Sequence, residues 1–154
     1  MKTIISVILL LVGLNLNAQV GINTDNPQST LDINGTLSVK HAELTGSAMV
    51  TEISDGVYFS IEPTGNNQEF RLPDATDVPG RIYILRNIQN THNALITTQG
   101  SDSMDPPSGV QFFAGNNSSS GTLNVTLSAN NDANKTLIFI SDGSNWTYGV
   151  LGYN

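Results

Sequence analysis

The side chains that could act in acid–base or nucleophilic catalysis are few in this sequence. His41 and His92 are its two histidines, and neither belongs to a recognisable catalytic motif. The carboxylates that stand out lie in predicted turns, at Asp25, Asp55, Asp74 and Asp142. Glycan hydrolysis needs a carboxylate pair with one raised pKa, whereas an Asp in a turn is explained by its bonds to backbone N–H groups. We therefore predict that the protein is not an enzyme and has no catalytic residue and no cofactor.

Residues that could hold a metal ion are equally sparse. His41 has no second imidazole near it in the sequence, and the chain contains no cysteine, whereas a metal site needs several ligands. Asp102 and Asp105 share a loop, but their surroundings lack the further oxygen ligands and the glycine of a dedicated calcium site. The sequence predicts no metal site.

The best candidates for contact with a ligand lie near the carboxyl end. Trp146 and Tyr148 share one face of a predicted strand and follow Asn145 directly. Aromatic rings beside an amide could form a platform for a sugar, because they combine a large apolar face with polar tips. The competing interpretation, which the pattern favours, places Trp146 in the core against a strand at residues 136–141. A monomeric carbohydrate-binding β-sandwich module is therefore the alternative function.

The composition indicates a neutral polar surface. Charged residues make up 12% of the 154 residues, against about 25% in ordinary soluble domains. The formal net charge is −7, and the six basic residues are scattered along the chain. Binding to nucleic-acid phosphates needs a clustered basic face, so the sequence argues against nucleic acid as a partner.

The amino-terminal residues have the pattern of a secretory signal peptide. Lys2 precedes an apolar run at residues 4–14, and the small residue Ala18 follows. We predict a signal peptide at residues 1–18 with cleavage between Ala18 and Gln19, and hence a protein that is secreted or held at the outer surface. The apolar run is shorter than the roughly 20 residues of a membrane span, so we expect no transmembrane segment in the mature chain.

The rest of the chain reads as strands and turns throughout. Residues 71–87 contain a proline-rich corner and then an apolar run with a β-forming composition, which predicts a strand covered on both faces. Its predicted neighbours are the strands at residues 94–98 and 136–141. Turn residues at 34–35, 54–56 and 142–145 predict three hairpins. The predicted fold is an all-β, antiparallel sandwich or jelly-roll-like head at residues 41–154, preceded by an extended stalk-like segment at residues 19–40.

The segment at residues 19–40 carries more apolar side chains than its short strands can cover. These side chains are Val20, Ile22, Leu31, Ile33, Leu37 and Val39. A lone hairpin with about three residues per strand is marginal in water, so an association surface for other chains is one interpretation. The other is that the segment packs back on its own domain.

Two sets of motifs resemble known modules. VGINT at residues 20–24, Pro27 and LDING at residues 31–35 resemble the stalk segment of phage tail-fibre-like proteins and of many exported Bacteroidetes surface proteins, with Asn23 where glycine is usual. LPDA at residues 72–75, GRIY at 80–83, ITT at 96–98 and SDG at 141–143 with Trp146 resemble the β head module of the same proteins.

The resemblance implies a structural or adhesive role. In the proteins that carry these modules the stalk is where chains associate, often as trimers, and no catalytic residue is carried over. We therefore expect a secreted or cell-surface, non-catalytic adhesion-type module that forms a homotrimer. The expected partner of the head, beyond other copies of the chain, is a glycan or a surface protein.

Overall fold

The fold is described from a computed structural model, which describes residues 20–22, 31–103, 108–115, 120–130 and 133–151. The predicted signal peptide and its cleavage site at Ala18 and Gln19 lie outside the described residues, as do Asp25 and Asp105. The chain divides into two compact units, residues 1–38 and residues 39–154.

The first unit contains a short parallel strand pair. Strands β1 (Val20–Ile22) and β2 (Leu31–Ile33) pair in parallel, with Val20 beside Leu31 and Ile22 beside Ile33. The backbone N–H of Asn34 donates to the carbonyl of Ile22 at 3.0 Å and extends this ladder. The hairpin predicted at residues 34–35 is wrong, because β2 pairs with the strand before it. Gly35 also lacks the positive φ that a type I′ turn requires.

The second unit is built almost entirely from short strands. They are β3 (His41–Thr45), β4 (Thr51–Glu52), β5 (Tyr58–Glu62), β6 (Gln68–Leu72), β7 (Ile82–Asn87), β8 (Ala94–Thr98), β9 (Ser101–Asp102), β10 (Ser108–Gly109), β11 (Phe112–Ala114), β12 (Val125–Leu127), β13 (Thr136–Ser141) and β14 (Trp146–Val150). A 3-10 turn at Ala133–Lys135 leads into β13. The prediction of an all-β protein is confirmed.

Successive strands from β3 to β8 alternate between two sheets. One sheet has the order β11-β14-β13-β7-β5-β3 and the other β12-β8-β6-β4. Strands β3, β5 and β7 run parallel in the first, and β4, β6 and β8 run parallel in the second. This part of the chain therefore winds as a coil of three turns, each placing one strand in each sheet.

The later strands extend both sheets through antiparallel pairings. β12 pairs antiparallel with β8, β13 pairs antiparallel with β7, and β14 pairs antiparallel with β13. Both sheets are thus mixed, which corrects the prediction of a purely antiparallel head. The hairpin predicted at residues 142–145 is confirmed, because β13 and β14 flank that turn.

The hairpin predicted at residues 54–56 is wrong. β4 belongs to the four-stranded sheet and β5 to the six-stranded sheet, so the turn carries the chain from one sheet to the other. The N–H of Ile53 bonds to the carbonyl of Arg71, and the N–H of Val57 bonds to the carbonyl of Lys40. Asp-Gly turns suit such a corner as well as a hairpin, because the turn residues specify only the local reversal.

Strand β7 has one of its two predicted neighbours. β13 pairs with it, but β8 lies in the other sheet and β5 takes the second place. Tyr83 and Leu85 are buried, whereas Ile82 is 42% exposed and Ile84 half-buried. The expectation of a strand covered on both faces is therefore wrong, since only the inner face of β7 is fully covered.

Both sheets contribute to one hydrophobic core. Its largest fully buried side chains include Phe59 and Tyr83 from the six-stranded sheet and Phe70 and Ile96 from the four-stranded sheet. The buried amide of Asn87 joins separate segments, since its Nδ2 donates to the carbonyls of His92 at 2.9 Å and Leu127 at 3.3 Å. This satisfies a polar group that would otherwise be costly to bury.

Candidate functional site

The two histidines lie in different surroundings. His41 is exposed on β3, with its Nε2 3.1 Å from Ser60 Oγ and its ring 5.5 Å from that of Tyr58. Among the described residues no carboxylate is hydrogen-bonded to the His41 ring, so the third member of a catalytic triad is missing there. His92 is half-buried, and its Nδ1 has no hydrogen-bond partner in the described part of the chain.

The turn aspartates bind the backbone as predicted. Asp74 Oδ1 accepts hydrogen bonds from the N–H of Thr76 at 2.8 Å and from its hydroxyl at 2.7 Å. Asp142 Oδ1 accepts bonds from the N–H of Ser144 at 2.8 Å and of Asn145 at 2.7 Å. Their carboxylates are therefore occupied in shaping turns.

Asp55 forms a surface ion pair instead. Its carboxylate bonds to the ammonium of Lys40, which directly precedes β3 in the second unit. This hydrogen bond and the charge of Lys40 lower the pKa of Asp55. Both side chains are exposed, so the pair has the character of an ordinary solvated salt bridge.

Two further polar side chains have shifted pKa values with structural causes. Burial raises the pKa of Tyr83, whose hydroxyl donates to the carbonyl of Ser54 at 2.8 Å. Burial lowers the pKa of Lys135, whose Nζ donates to the carbonyls of Gln89 at 2.6 Å and Ala129 at 2.7 Å. Each of these groups ties a loop to the end of a strand.

Trp146 lies in the core rather than on a surface. It is fully buried, and its Nε1 donates to Thr98 Oγ1 at 3.0 Å and to the carbonyl of Pro73 at 3.3 Å. Its ring centroid is 5.7 Å from that of Tyr83. This is the core role that the sequence pattern favours, and a buried indole offers no face to a sugar.

The other two candidate contact residues differ from each other. The side-chain oxygen of Asn145 accepts a hydrogen bond from the N–H of Gln111 at 3.0 Å. This amide therefore holds the start of β11, which follows Gln111 directly. Tyr148 is half-buried and lines an open groove. Of the three, Tyr148 lines the described groove that a ligand could enter.

The groove beside Tyr148 has a volume of about 520 Å³. Strands β11 and β14 form one wall, and β12 with the turn before β13 forms the other. The side chains on which its chemistry depends are Ala114, Asn124, Val125, Thr126, Asn134 and Tyr148. The sequence identified Tyr148 but not the two asparagines. Alternation with Leu123, Val125 and Leu127 marks Asn124 only as facing solvent. Asn134 lies in a stretch that the sequence indicates only as a turn.

A mismatch between the two sheets explains the groove. In the six-stranded sheet β13 lies next to β7, and β14 and β11 lie beyond β13. In the four-stranded sheet β12 lies next to β8, and no described strand lies beyond β12 to face β14 and β11. The first part of β14 is covered where Trp146 meets Pro73 and Thr98. From Tyr148 to Val150 the inner face of β14 instead borders the groove.

The predicted association segment is exposed at most of its described apolar positions. The exposed fractions are 49% for Ile22, 54% for Leu31, 66% for Leu37 and 41% for Val39. Ile33 is half-buried. These values are high for large aliphatic side chains of a soluble protein.

A second apolar surface lies on the outer face of the six-stranded sheet. Ile82 pairs with Ile140, and Ile84 pairs with Ile138, across β7 and β13. Ile82 and Ile140 are 42% and 40% exposed. The four isoleucines, called here the isoleucine face, account for the apolar residues of these strands that the core does not use.

Comparison with protein-family models, curated proteins and solved structures finds no match to this chain. The likeness to tail-fibre stalk and head modules thus stays a prediction. Across the described ranges, no helix is long and apolar enough to cross a membrane. In those same ranges no group of three or more His, Cys, Asp or Glu side chains could hold a metal ion.

Proposed function

We propose that this protein is an exported, non-catalytic structural or adhesion-type module that assembles as a homotrimer. Residues 19–40 form the association segment, and residues 41–154 form a β head that the assembly presents outside the cell. The observation that carries the proposal is the exposure of the association segment, whose Ile22, Leu31 and Leu37 are about half exposed or more.

The β1–β2 pair needs a covering surface. Each of its strands has three residues, and isolated strand pairs of this size are marginal in water. Side chains such as Leu31 and Leu37 lose contact with water when equivalent segments of other copies pack against them. Each aliphatic side chain fully buried in this way contributes about 1.5–3 kcal/mol of transfer free energy before the entropic cost of association.

The head has features that suit a presenting role. Its core is continuous across both sheets, and the turn aspartates Asp74 and Asp142 bind backbone N–H groups. Polar loops connect the strands, and loops held by a rigid β scaffold are where such proteins carry recognition.

Light scattering coupled to size exclusion tests the association claim. The mature chain, residues 19–154, is measured beside the double variant Leu31→Ser/Leu37→Ser and the control variant Met49→Ser. Met49 is 79% exposed and lies outside the segment. We expect a trimer for the mature chain and for Met49→Ser, and a monomer for the double variant.

Two results would contradict the proposal. A mature chain that is monomeric at micromolar concentration would exclude the trimer. A double variant that stays trimeric with an unchanged circular dichroism spectrum would exclude residues 19–40 as the association segment. In the second case the isoleucine face becomes the surface to test.

A further inference from the structure

We propose that the groove between β11, β14 and β12 binds a neutral carbohydrate. This inference goes beyond the structural role and does not depend on the oligomeric state, because every residue that carries it lies in one head.

The groove has the size of a small-molecule site. Its volume of about 520 Å³ falls within the roughly 300–1,000 Å³ of ligand pockets. It exists because β14 and β11 extend past the end of the four-stranded sheet. Its walls are paired strands, so backbone hydrogen bonds hold them in place. One of these bonds joins the N–H of Gly115 to the carbonyl of Tyr148 at 2.7 Å.

The walls are polar but uncharged. None of the described residues that line the groove is an acid or a base. An anionic ligand would meet no cation among these described residues and would be repelled by the net charge of −7. Nor do the same residues offer a carboxylate to a cationic ligand. The groove therefore selects for a neutral polar molecule.

The polar side chains match the hydroxyl groups of a sugar. Asn124 and Asn134 each offer a donor and an acceptor, and the hydroxyl of Thr126 offers both. The hydrogen bonds found for the two asparagines use their backbone carbonyls, which accept from Thr122 Oγ1 at 3.0 Å and from the N–H of Ser128 at 3.1 Å. Both asparagines are exposed, and within the described ranges no hydrogen bond of their side-chain amides is found, so these amides can turn toward a ligand.

Tyr148 supplies an apolar face in a fixed orientation. Its ring stacks on Phe139, its cross-strand neighbour, with 6.0 Å between centroids and 27° between planes. Val125 and Ala114 add aliphatic surface to the same groove. A fixed ring loses little conformational entropy when a ligand stacks on it. A pyranose ring presents aliphatic C–H faces that pack against such a ring and hydroxyl groups that bond to amide and hydroxyl side chains. The groove supplies both kinds of partner.

Titration with neutral oligosaccharides tests the proposal. The probes are maltotriose, cellotriose, mannotriose and triacetylchitotriose at up to millimolar concentration, with sialyllactose and a neutral tripeptide as comparison ligands. Binding is followed by calorimetry and by the amide resonances of the ¹⁵N-labelled mature protein. We expect at least one neutral sugar to bind and to shift the amide resonances of Gly115, Val125 and Gly149.

Variants then locate the site. Tyr148→Ala should weaken binding about tenfold, which corresponds to roughly 1.4 kcal/mol. Asn124→Ala and Asn134→Ala change exposed side chains, so they keep the site testable if Tyr148→Ala unfolds. Each should weaken binding several-fold. Tyr58→Ala, which alters a half-buried tyrosine on β5 outside the groove, serves as the matched control and should leave the affinity unchanged.

Each contrary result would overturn the proposal. These results are no resonance shift with any of the neutral sugars, shifts that map away from β11, β12 and β14, or tighter binding of sialyllactose or the tripeptide than of every neutral sugar. Equal affinity of Asn124→Ala, Asn134→Ala and the unaltered protein would also exclude the groove as the site.

Discussion

At the scale of single residues, most polar side chains with distinctive surroundings serve the fold. Asn87 and Lys135 each satisfy backbone groups of other segments, and Asp142 satisfies those of its own turn. Trp146 does so from the core, because its indole N–H bonds to Thr98 and Pro73 while its ring fills space beside Tyr83. These roles leave Tyr148, with the amides and hydroxyls around it, as the set of residues best placed to meet a ligand.

Replacing Trp146 tests its structural role. Trp146→Phe removes the indole donor and leaves a cavity, so we expect the free energy of unfolding to fall by about 2–4 kcal/mol. Urea denaturation followed by circular dichroism measures it. Tyr58→Phe, on the outer face of β5, should change stability by less than about 0.5 kcal/mol. If Trp146→Phe lowered the free energy of unfolding by less than about 0.5 kcal/mol, the indole would not be part of the core.

The Lys40–Asp55 pair gives a pH-dependent prediction. Lys40 lowers the pKa of Asp55 below its ordinary value of 3.8, so the pair's contribution to stability is present above that value and is lost as the pH falls through the folded pKa. In an NMR titration of the Asp55 carboxyl carbon, we expect a midpoint below 3.8 that rises in Lys40→Met.

A second variant controls for the loss of charge. Arg86→Gln removes one positive charge from an exposed position on β7 that is not a cause of the shift at Asp55, and it should leave the midpoint unchanged. Added salt should raise the midpoint of the unaltered protein, because the pair is exposed and screened. A midpoint that does not respond to Lys40→Met would mean that the pair does not form in solution.

At the scale of elements, two glycines with positive φ shape turns beside strands of the six-stranded sheet. The β13–β14 hairpin turns at Gly143, which has a φ of 88°. Gly80 has a φ of 76° at the entry to β7, where its N–H bonds to the carbonyl of Ser141. These glycines let the chain enter and leave adjacent strands of one sheet within a few residues, since side chains with a Cβ disfavour such angles.

Gly143→Ala tests the hairpin turn. A φ in the left-handed region costs a residue with a Cβ about 1–2 kcal/mol, and the added Cβ would lie 3.3 Å from Pro79 Cβ. We expect a loss of about that size in the free energy of unfolding, measured by urea denaturation. Ser144→Ala, in the same turn, keeps the N–H that bonds to Asp142 and should be almost neutral. Equal stability of both variants would contradict the turn geometry.

At the scale of the whole molecule, the core and the exposed apolar side chains of residues 20–37 belong to different units. Every described residue of the hydrophobic core, from Ile53 to Trp146, belongs to the second unit. The exposed side chains of Ile22, Leu31 and Leu37 belong to the first. Folding of the head and association of chains should therefore be separable.

Truncation tests this separation. A chain that begins at Val39 should fold into a monomer with the circular dichroism spectrum and amide resonance dispersion of the head, because it keeps the whole core. Light scattering and NMR measure both properties. An unfolded or aggregated product would show that the first unit is needed for the head. A truncated chain that remains trimeric would move the association surface to the head.

The sequence by itself determined the all-β class, the positions of most strands and the roles of Asp74 and Asp142 in their turns. These features are local, because period-two alternation such as Leu123, Val125 and Leu127 and turns such as residues 142–145 depend on nearby residues alone. It also indicated the core role of Trp146.

The tertiary structure decided which strands pair and in which direction. An Asp-Gly turn suits both a hairpin and a corner between sheets, so residues 54–56 could not show that β4 and β5 belong to different sheets. Apolar residues on both faces of β7 could not show that Ile82 and Ile84 face outward. The groove depends on the same distant pairings, because Tyr148, Asn124 and Asn134 meet only where β14 extends past the edge of the sheet that ends in β12.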